Sequence, residues 1–252
     1  MNDAVNQAVG EGMRVRVVVF AVIAIALGAL FVRLGFWQLD RLTWRRALNA
    51  EVASHMAAAP VPVALLPRDS AALRYRRAEI SGVFDYTNQV VITQRIRGGS
   101  PGVNLLTPLR IPGRDTAYLV NRGWVYSPDG KTVNQAAWRE ADTVRLTAYA
   151  LPAYSVAANT AGVVSNRVMR TLDVNAIQKD MPYPIARMQL IQIGDTVTAD
   201  GVPPRVQPPT PDEGSHKSYA FQWFSFAAIA VIGAGIFAVT DKNRNRPRVD
   251  NT

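Results

Sequence analysis

The sequence predicts a membrane protein in which two transmembrane α-helices, one N-terminal and one C-terminal, flank a mainly antiparallel β extramembrane domain, barrel- or sandwich-like and α+β in composition. Three observations lead there. The chain is apolar without interruption from Val17 to Val32, and it carries no charge from Tyr219 to Val239. Between these runs it breaks into short segments rich in Val, Ile, Leu and Thr, divided by turn residues. The expected division is a cytoplasmic tail over 1–16, a first span over 17–37, a periplasmic β-rich domain over 38–218, a second span over 219–239 and a basic cytoplasmic tail over 240–252.

Beyond Arg33 the first run continues through Leu34, Gly35, Phe36 and Trp37. As a helix it would measure about 31 Å at 1.5 Å per residue, enough to cross a hydrocarbon core with Arg33 snorkelling and Trp37 at the interface. A cleaved signal peptide is the rival reading. It is disfavoured because nothing polar follows Ala26, Gly28 and Ala29, where a peptidase would cut. In the second span Tyr219, Phe221, Trp223 and Phe224 cluster at one end, as an interfacial aromatic belt does. Ala24 and Gly28 in the first span, and Ala230, Gly233 and Ala234 in the second, are small enough to let helices approach; whether the spans pack together is left open.

Two spans place both termini on one side of the membrane. Lys242, Arg244, Arg246 and Arg248 after the second span make that side the cytoplasm. Arg33, Arg41, Arg45 and Arg46 after the first span outnumber Arg14 and Arg16 before it, but a long intervening domain translocates largely regardless of charge.

After the first span a helical pattern persists from Leu39 to Ala57, until Pro60, Pro62 and Pro67 stop it. Strands are expected over Tyr75–Phe84, Gln89–Ile96, Val103–Ile111, Thr116–Val125, Thr143–Leu151 and Met188–Ile193, with a helix near Val174–Lys179. Turns are marked by residues 85–88, 98–102, 112–115 and 127–130, and a proline-rich return runs through Pro203, Pro204, Pro208, Pro209 and Pro211. Gly123 in Asn121-Arg122-Gly123-Trp124 suggests a bulge or a close backbone approach.

The chain has 252 residues, a formal charge of +9 and no cysteine. Lack of cysteine excludes disulfides, thiolate metal sites and thioether-linked haem. Much of the basic excess flanks the apolar runs, which points to anionic lipid and argues against nucleic acid as a partner. No phosphate loop or nucleophile elbow occurs, and the only histidines are His55 and His216, so no enzyme is expected.

His216 lies just outside the second span, one turn before Tyr219 and close to Gln222 and Trp223. A neutral imidazole can ligate haem iron, and aromatic side chains can pack on a porphyrin face. The plainer reading makes these residues interface anchors, and on the residues alone it is favoured. Trp37, Gln38 and Arg41 form the matching group on the first span, where Arg41 could pair with a propionate and Gln38 could donate a hydrogen bond. Snorkelling and headgroup contact are again the plainer account. His55 is expected on a solvated helix.

Gly35-x-Trp37-Gln38-x-x-Arg41, Gly82-x-Phe84-Asp85, Asn121-Arg122-Gly123-Trp124-Val125 and His216-x-x-Tyr219-Ala220-x-Gln222-Trp223-Phe224 resemble, in order and spacing, the Surfeit-locus (Surf/Shy) family of cytochrome c oxidase assembly factors. The resemblance implies a multi-pass protein of the bacterial inner membrane, or its mitochondrial counterpart, that assists maturation of oxidase subunit I. Haem a is the implied cofactor, bound transiently, with His216 as iron ligand and Tyr219, Gln222, Trp223, Trp37, Gln38 and Arg41 around it. Subunit I, haem A synthase and membrane lipid are the implied partners. Gly214-Ser215 stands where the family often has asparagines, and Arg45 where it often has lysine. The alternative function is a haem-free membrane chaperone that scaffolds subunit I.

Overall fold

The computed structural model describes residues 2–153, 163–165, 167–197 and 200–244. Arg246 and Arg248 therefore lie outside the described residues. The chain divides into two compact units, one formed by residues 1–50 with 211–252 and one by residues 51–210.

The first unit is a pair of antiparallel helices. Helix α1 runs from Asn2 to Ala57 and α4 from His216 to Arg244. Both are long and apolar enough to cross a membrane. Val18, Val22 and Ile25 on α1, and Ile229, Ile232 and Ile236 on α4, are each at least 60% exposed. Hydrocarbon is the solvent that tolerates such a surface. Buried positions on α1 fall at Ala24, Gly28, Gly35, Gln38 and Leu42, with Phe31 half-buried among them. Intervals of four and three residues make one stripe, the seam of two closely packed helices. Ala220 and Ala227 are buried on α4, with Trp223 and Phe224 half-buried.

The spans do pack together, and small residues make the approach possible. A β-carbon on Gly35 would stand 2.5 Å from the Phe224 ring, and one on Gly28 would stand 3.6 Å from Val231. Phe31 stacks on Trp223 at 5.7 Å between centroids, and Phe20 meets Phe237 at 4.7 Å. Gly233 has nothing within 4 Å and takes no part in the seam.

The second unit contains a nine-stranded sheet. Its strands are β1 (Val61–Pro62), β2 (Arg77–Phe84), β3 (Val90–Arg97), β4 (Ser100–Arg110), β5 (Ala117–Tyr126), β6 (Thr143–Pro152), β7 (Val163–Ser165), β8 (Val168–Met169) and β9 (Ile185–Gln192), with short helices α2 (Ser70–Leu73) and α3 (Val174–Gln178). β2, β6, β9, β5 and β4 are successive neighbours, and β2 pairs again with β4 at Val83↔Arg110 and Phe84↔Leu109, closing a five-stranded barrel. Eleven residues let β4 serve two neighbours along one edge, β3 on its first half and β2 at its end. β5 and β9 run parallel. This order, with that one parallel pair inside the barrel, is the Greek-key connectivity of OB-type barrels.

The longer strands begin and end within a few residues of the positions read from the sequence, whereas β1, β7 and β8 are too short to leave a pattern. The β3–β4 hairpin turns on Gly98 and Gly99, both with positive φ, as a two-residue turn requires.

The barrel interior is filled by Ala78, Ile80, Phe84, Leu109, Val120, Leu146, Ala148, Ala150 and Leu190. A second cluster on the other side of the sheet packs Val90, Ile92, Leu106, Leu119 and Met169 against Val174 and Ile177 of α3. Strand β5 touches both clusters, which is why it reads as an almost continuous apolar run instead of alternating.

Asp85 caps the turn after β2, accepting hydrogen bonds from the Thr87 and Asn88 amides at 3.1 and 3.3 Å and from the Tyr183 hydroxyl at 2.6 Å. His55 lies, as expected, on a largely exposed turn at the end of α1, where it is half-buried and donates from Nδ1 to the Arg74 carbonyl at 2.7 Å.

Candidate functional site

Candidate residues gather on the helical pair. His216 is the first residue of α4, and its Nδ1 lies 2.8 Å from Oε1 of Gln38. Gln38 belongs to the buried stripe of α1 and is 9% exposed. It therefore acts as an acceptor for the imidazole, where the sequence suggested a donor to a ligand. A buried amide and an imidazole that satisfy one another avoid the cost of two unpaired polar groups at a helix seam.

The loop before α4 is held to α1 by polar contacts. Arg46 forms a forked ion pair with Glu213 at 2.7 and 2.9 Å, and Asn49 Nδ2 donates to the Asp212 carbonyl at 3.1 Å. The hydrogen bond from Arg46 holds the Glu213 carboxyl below its usual range, and the same bond raises the guanidinium. Gly214 has φ +70° and donates its amide to Asp212 Oδ1 at 2.8 Å. A β-carbon there would stand 3.4 Å from Cδ2 and 3.5 Å from Nε2 of His216. The Nε2 edge of the ring thus faces a position without a side chain.

The other candidates are distributed around this pair. Trp223 lies two turns along α4 from His216 and stacks on Phe31. Tyr219 and Gln222 are exposed on α4. Trp37 is exposed and lines, with Arg33, Phe36 and Asp40, a shallow depression of about 630 Å³ on α1. Arg41 places its guanidinium 4.7 Å from the Trp44 ring. Among the described residues no hydrogen bond joins Tyr219, Gln222, Trp37 or Arg41 to His216. The structure brings together Gln38 and His216, packs Trp223 into the helix seam and leaves Tyr219, Gln222, Trp37 and Arg41 as flanking surface.

Two features of the site escaped the sequence, the loop clamp and the open edge at Gly214. Arg46 and Glu213 are 167 positions apart, and no local pattern links them.

The β domain holds a polar cluster of a different character. A register shift between Leu105 and Leu106 leaves Arg122 as the extra residue of β5, and its side chain is completely buried. Its guanidinium donates to Thr107 Oγ1 at 2.8 Å, Gln89 Oε1 at 2.7 Å, the Trp138 carbonyl at 2.7 Å and Glu140 Oε1 at 2.9 Å. Arg205 binds the same carboxylate through two nitrogens and also donates to the Arg122 carbonyl. Burial lowers the Arg122 pKa, and the negative charge of Glu140 opposes that shift.

Gly123 makes room for this arrangement. A β-carbon there would press on the Pro203 side chain at 2.8 Å and overlap the Pro204 carbonyl. The Trp124 amide donates to that carbonyl at 2.9 Å, so the proline-rich return lies directly against β5. Asn121-Arg122-Gly123-Trp124 is accordingly both a bulge and a close approach, with a structural role. Among the described residues no group of three or more histidine or acidic side chains could hold a metal ion.

The SURF1 family profile matches residues 25–228. An uncharacterized SURF1-like protein of Mycobacterium bovis is 28% identical over 222 residues, which is 86% of this chain and 80% of that protein. A SURF1-like protein of Rickettsia bellii is 24% identical over 81% of this chain and 84% of its own length. Surfeit locus protein 1 of Gallus gallus is 30% identical over 107 residues, 36% of this chain and 35% of that protein. The match thus spans about a third of the length of the chicken protein.

Proposed function

Because the chain belongs to the SURF1 family, we propose that it is an assembly factor for cytochrome c oxidase in the bacterial inner membrane, holding haem a as cargo at His216 for insertion into subunit I. On this reading both termini are cytoplasmic and the β domain is periplasmic. Haem A synthase is the proposed donor and subunit I the acceptor.

The observation that carries the reading is the half-buried His216, fixed through Nδ1 by Gln38 while its Nε2 edge faces Gly214. The donor set suits a haem. His216 would hold the haem iron through its one imidazole, and a single protein ligand would let the cargo be passed on. Tyr219 offers exposed aromatic surface one turn from His216, Trp223 lies a further turn along α4, and Arg41 and Lys217 are cations within a turn of the pair along their own helices. When bound, haem iron would supply the coordination chemistry; Gln38 orients the imidazole, and Arg41 and Lys217 would supply charge for the propionates. No catalytic step is required, in keeping with an assembly role and not an enzymatic one.

An optical spectrum of detergent-purified protein, coexpressed with the haem a synthesis enzymes, tests the proposal in wild type and His216→Ala. A haem band that disappears in the variant supports it. Well-folded wild type without haem would replace it with the haem-free chaperone, in which the Gln38–His216 bond serves only to join the helices.

A further inference from the structure

Building on His216 as the ligand, we infer that Gln38 is its positioning residue, holding the imidazole in the tautomer whose Nε2 carries the lone pair, with that edge left accessible at Gly214. A side-chain carbonyl oxygen can only accept, so the ring nitrogen 2.8 Å from Gln38 Oε1 carries a proton. In a neutral imidazole protonated at Nδ1 the lone pair is on Nε2. Among the described residues Nε2 has no hydrogen-bond partner, and the position beside it lacks a side chain.

The surroundings fix this geometry from two directions. Gln38 is gripped by the helix seam, being 9% exposed between Gly35 and Leu42. The loop that delivers His216 is clamped to α1 at Arg46 and Asn49. The Gly214 amide points to Asp212 and so does not compete for Nε2. Ligand basicity follows the same hydrogen bond: an acceptor on Nδ1–H strengthens Nε2 as a donor to metal, a carboxylate more than an amide. Glutamine therefore orients the ring while leaving it a moderate ligand, the combination that a protein releasing its cargo requires.

The test uses full-length, detergent-solubilised protein with 15N-labelled histidine. The chain has two histidines, and His216→Ala assigns the signals. At a pH where the imidazole is neutral, apo wild type should have Nδ1 protonated and Nε2 unprotonated at His216, whereas Gln38→Leu should give a mixture of tautomers. In haemin titrations Gln38→Leu should weaken binding about 10–100-fold, and Gln38→Glu, which keeps an acceptor, should restore or tighten it and lower the potential of the bound iron.

Protonated Nε2 in apo wild type would overturn the positioning role whatever haemin does. So would haemin affinity that falls in His216→Ala but not in Gln38→Leu. If the tautomer is as expected but His216→Ala binds haemin as well as wild type, the ligand reading fails and the positioning role with it, while the hydrogen bond itself stands. Should Gln38→Leu not fold, Gln38→Glu alone decides: its potential must drop, and an unchanged potential counts against the inference.

Discussion

Gly82 and Arg110 sit so close at the closure of the barrel that a β-carbon on Gly82 would stand 3.1 Å from the Arg110 carbonyl carbon and overlap its oxygen. Two motif residues follow from that contact. Gly82 allows β2 to reach the end of β4, and Phe84, two residues on and 4% exposed, fills the barrel beneath the junction.

Gly82→Ala should therefore cost about 1–3 kcal/mol, because the neighbour in the way is backbone and cannot rotate aside. Thermal unfolding of the purified protein would register it as a lower Tm. An unchanged Tm would mean that closure does not depend on this approach.

Glu140 is the one carboxylate that Arg122 and Arg205 share among the described residues. Glu140→Gln leaves two nearly buried guanidinium groups without their counter-charge and should destabilise the domain by about 3–5 kcal/mol. The exposed Arg139–Asp142 pair is the control: Asp142→Asn should cost no more than about 1 kcal/mol. Denaturant midpoints of the two variants would separate the effects.

Acid should weaken the β domain in a defined window. Hydrogen bonds from the Thr132 side chain and amide, the Ser127 hydroxyl and the Lys131 amide hold the Asp129 carboxyl far below the usual range. At Asp85, burial works upward but is outweighed by donors from Tyr183, Asn88 and Thr87, so that carboxyl is lowered too. Folded-state values below the unfolded value of about 4 mean that the stabilisation is fully present above pH about 4 and fades as pH falls through the folded-state values. Unfolding midpoints should be flat from pH 7 to about 5 and then decline. Asp129→Asn should flatten that decline.

The helical pair can be tested because the chain has no native cysteine to interfere. Gly28→Cys with Val231→Cys should cross-link efficiently in membranes under mild oxidation, since these positions face each other across the seam. Gly28→Cys with Gly233→Cys should not. Equal yields would argue against the antiparallel register.

Much of this protein is legible in its sequence. Both spans follow from uninterrupted apolar runs, because a lipid solvent selects composition directly. Strands such as β2, β5 and β6 follow from local propensity and from the turns that bound them, and the bulge at Gly123 follows from glycine in a strand. His216 stands out as one of two histidines, placed beside a span. Long-range pairing is not legible in the same way. The closure of β2 on β4, the parallel pairing of β5 with β9 and the convergence of Arg122, Glu140 and Arg205 depend on residues far apart in the chain. The same holds for the partner of His216.

The sequence by itself determined which segments enter lipid, which become strands and where the chain turns, since each depends on neighbours a few residues away. Only the tertiary structure decided that Gln38 would meet His216 across 178 positions. The physical reason is that burial along a helix seam, and the need to satisfy polar groups placed there, arise only when two distant segments come together.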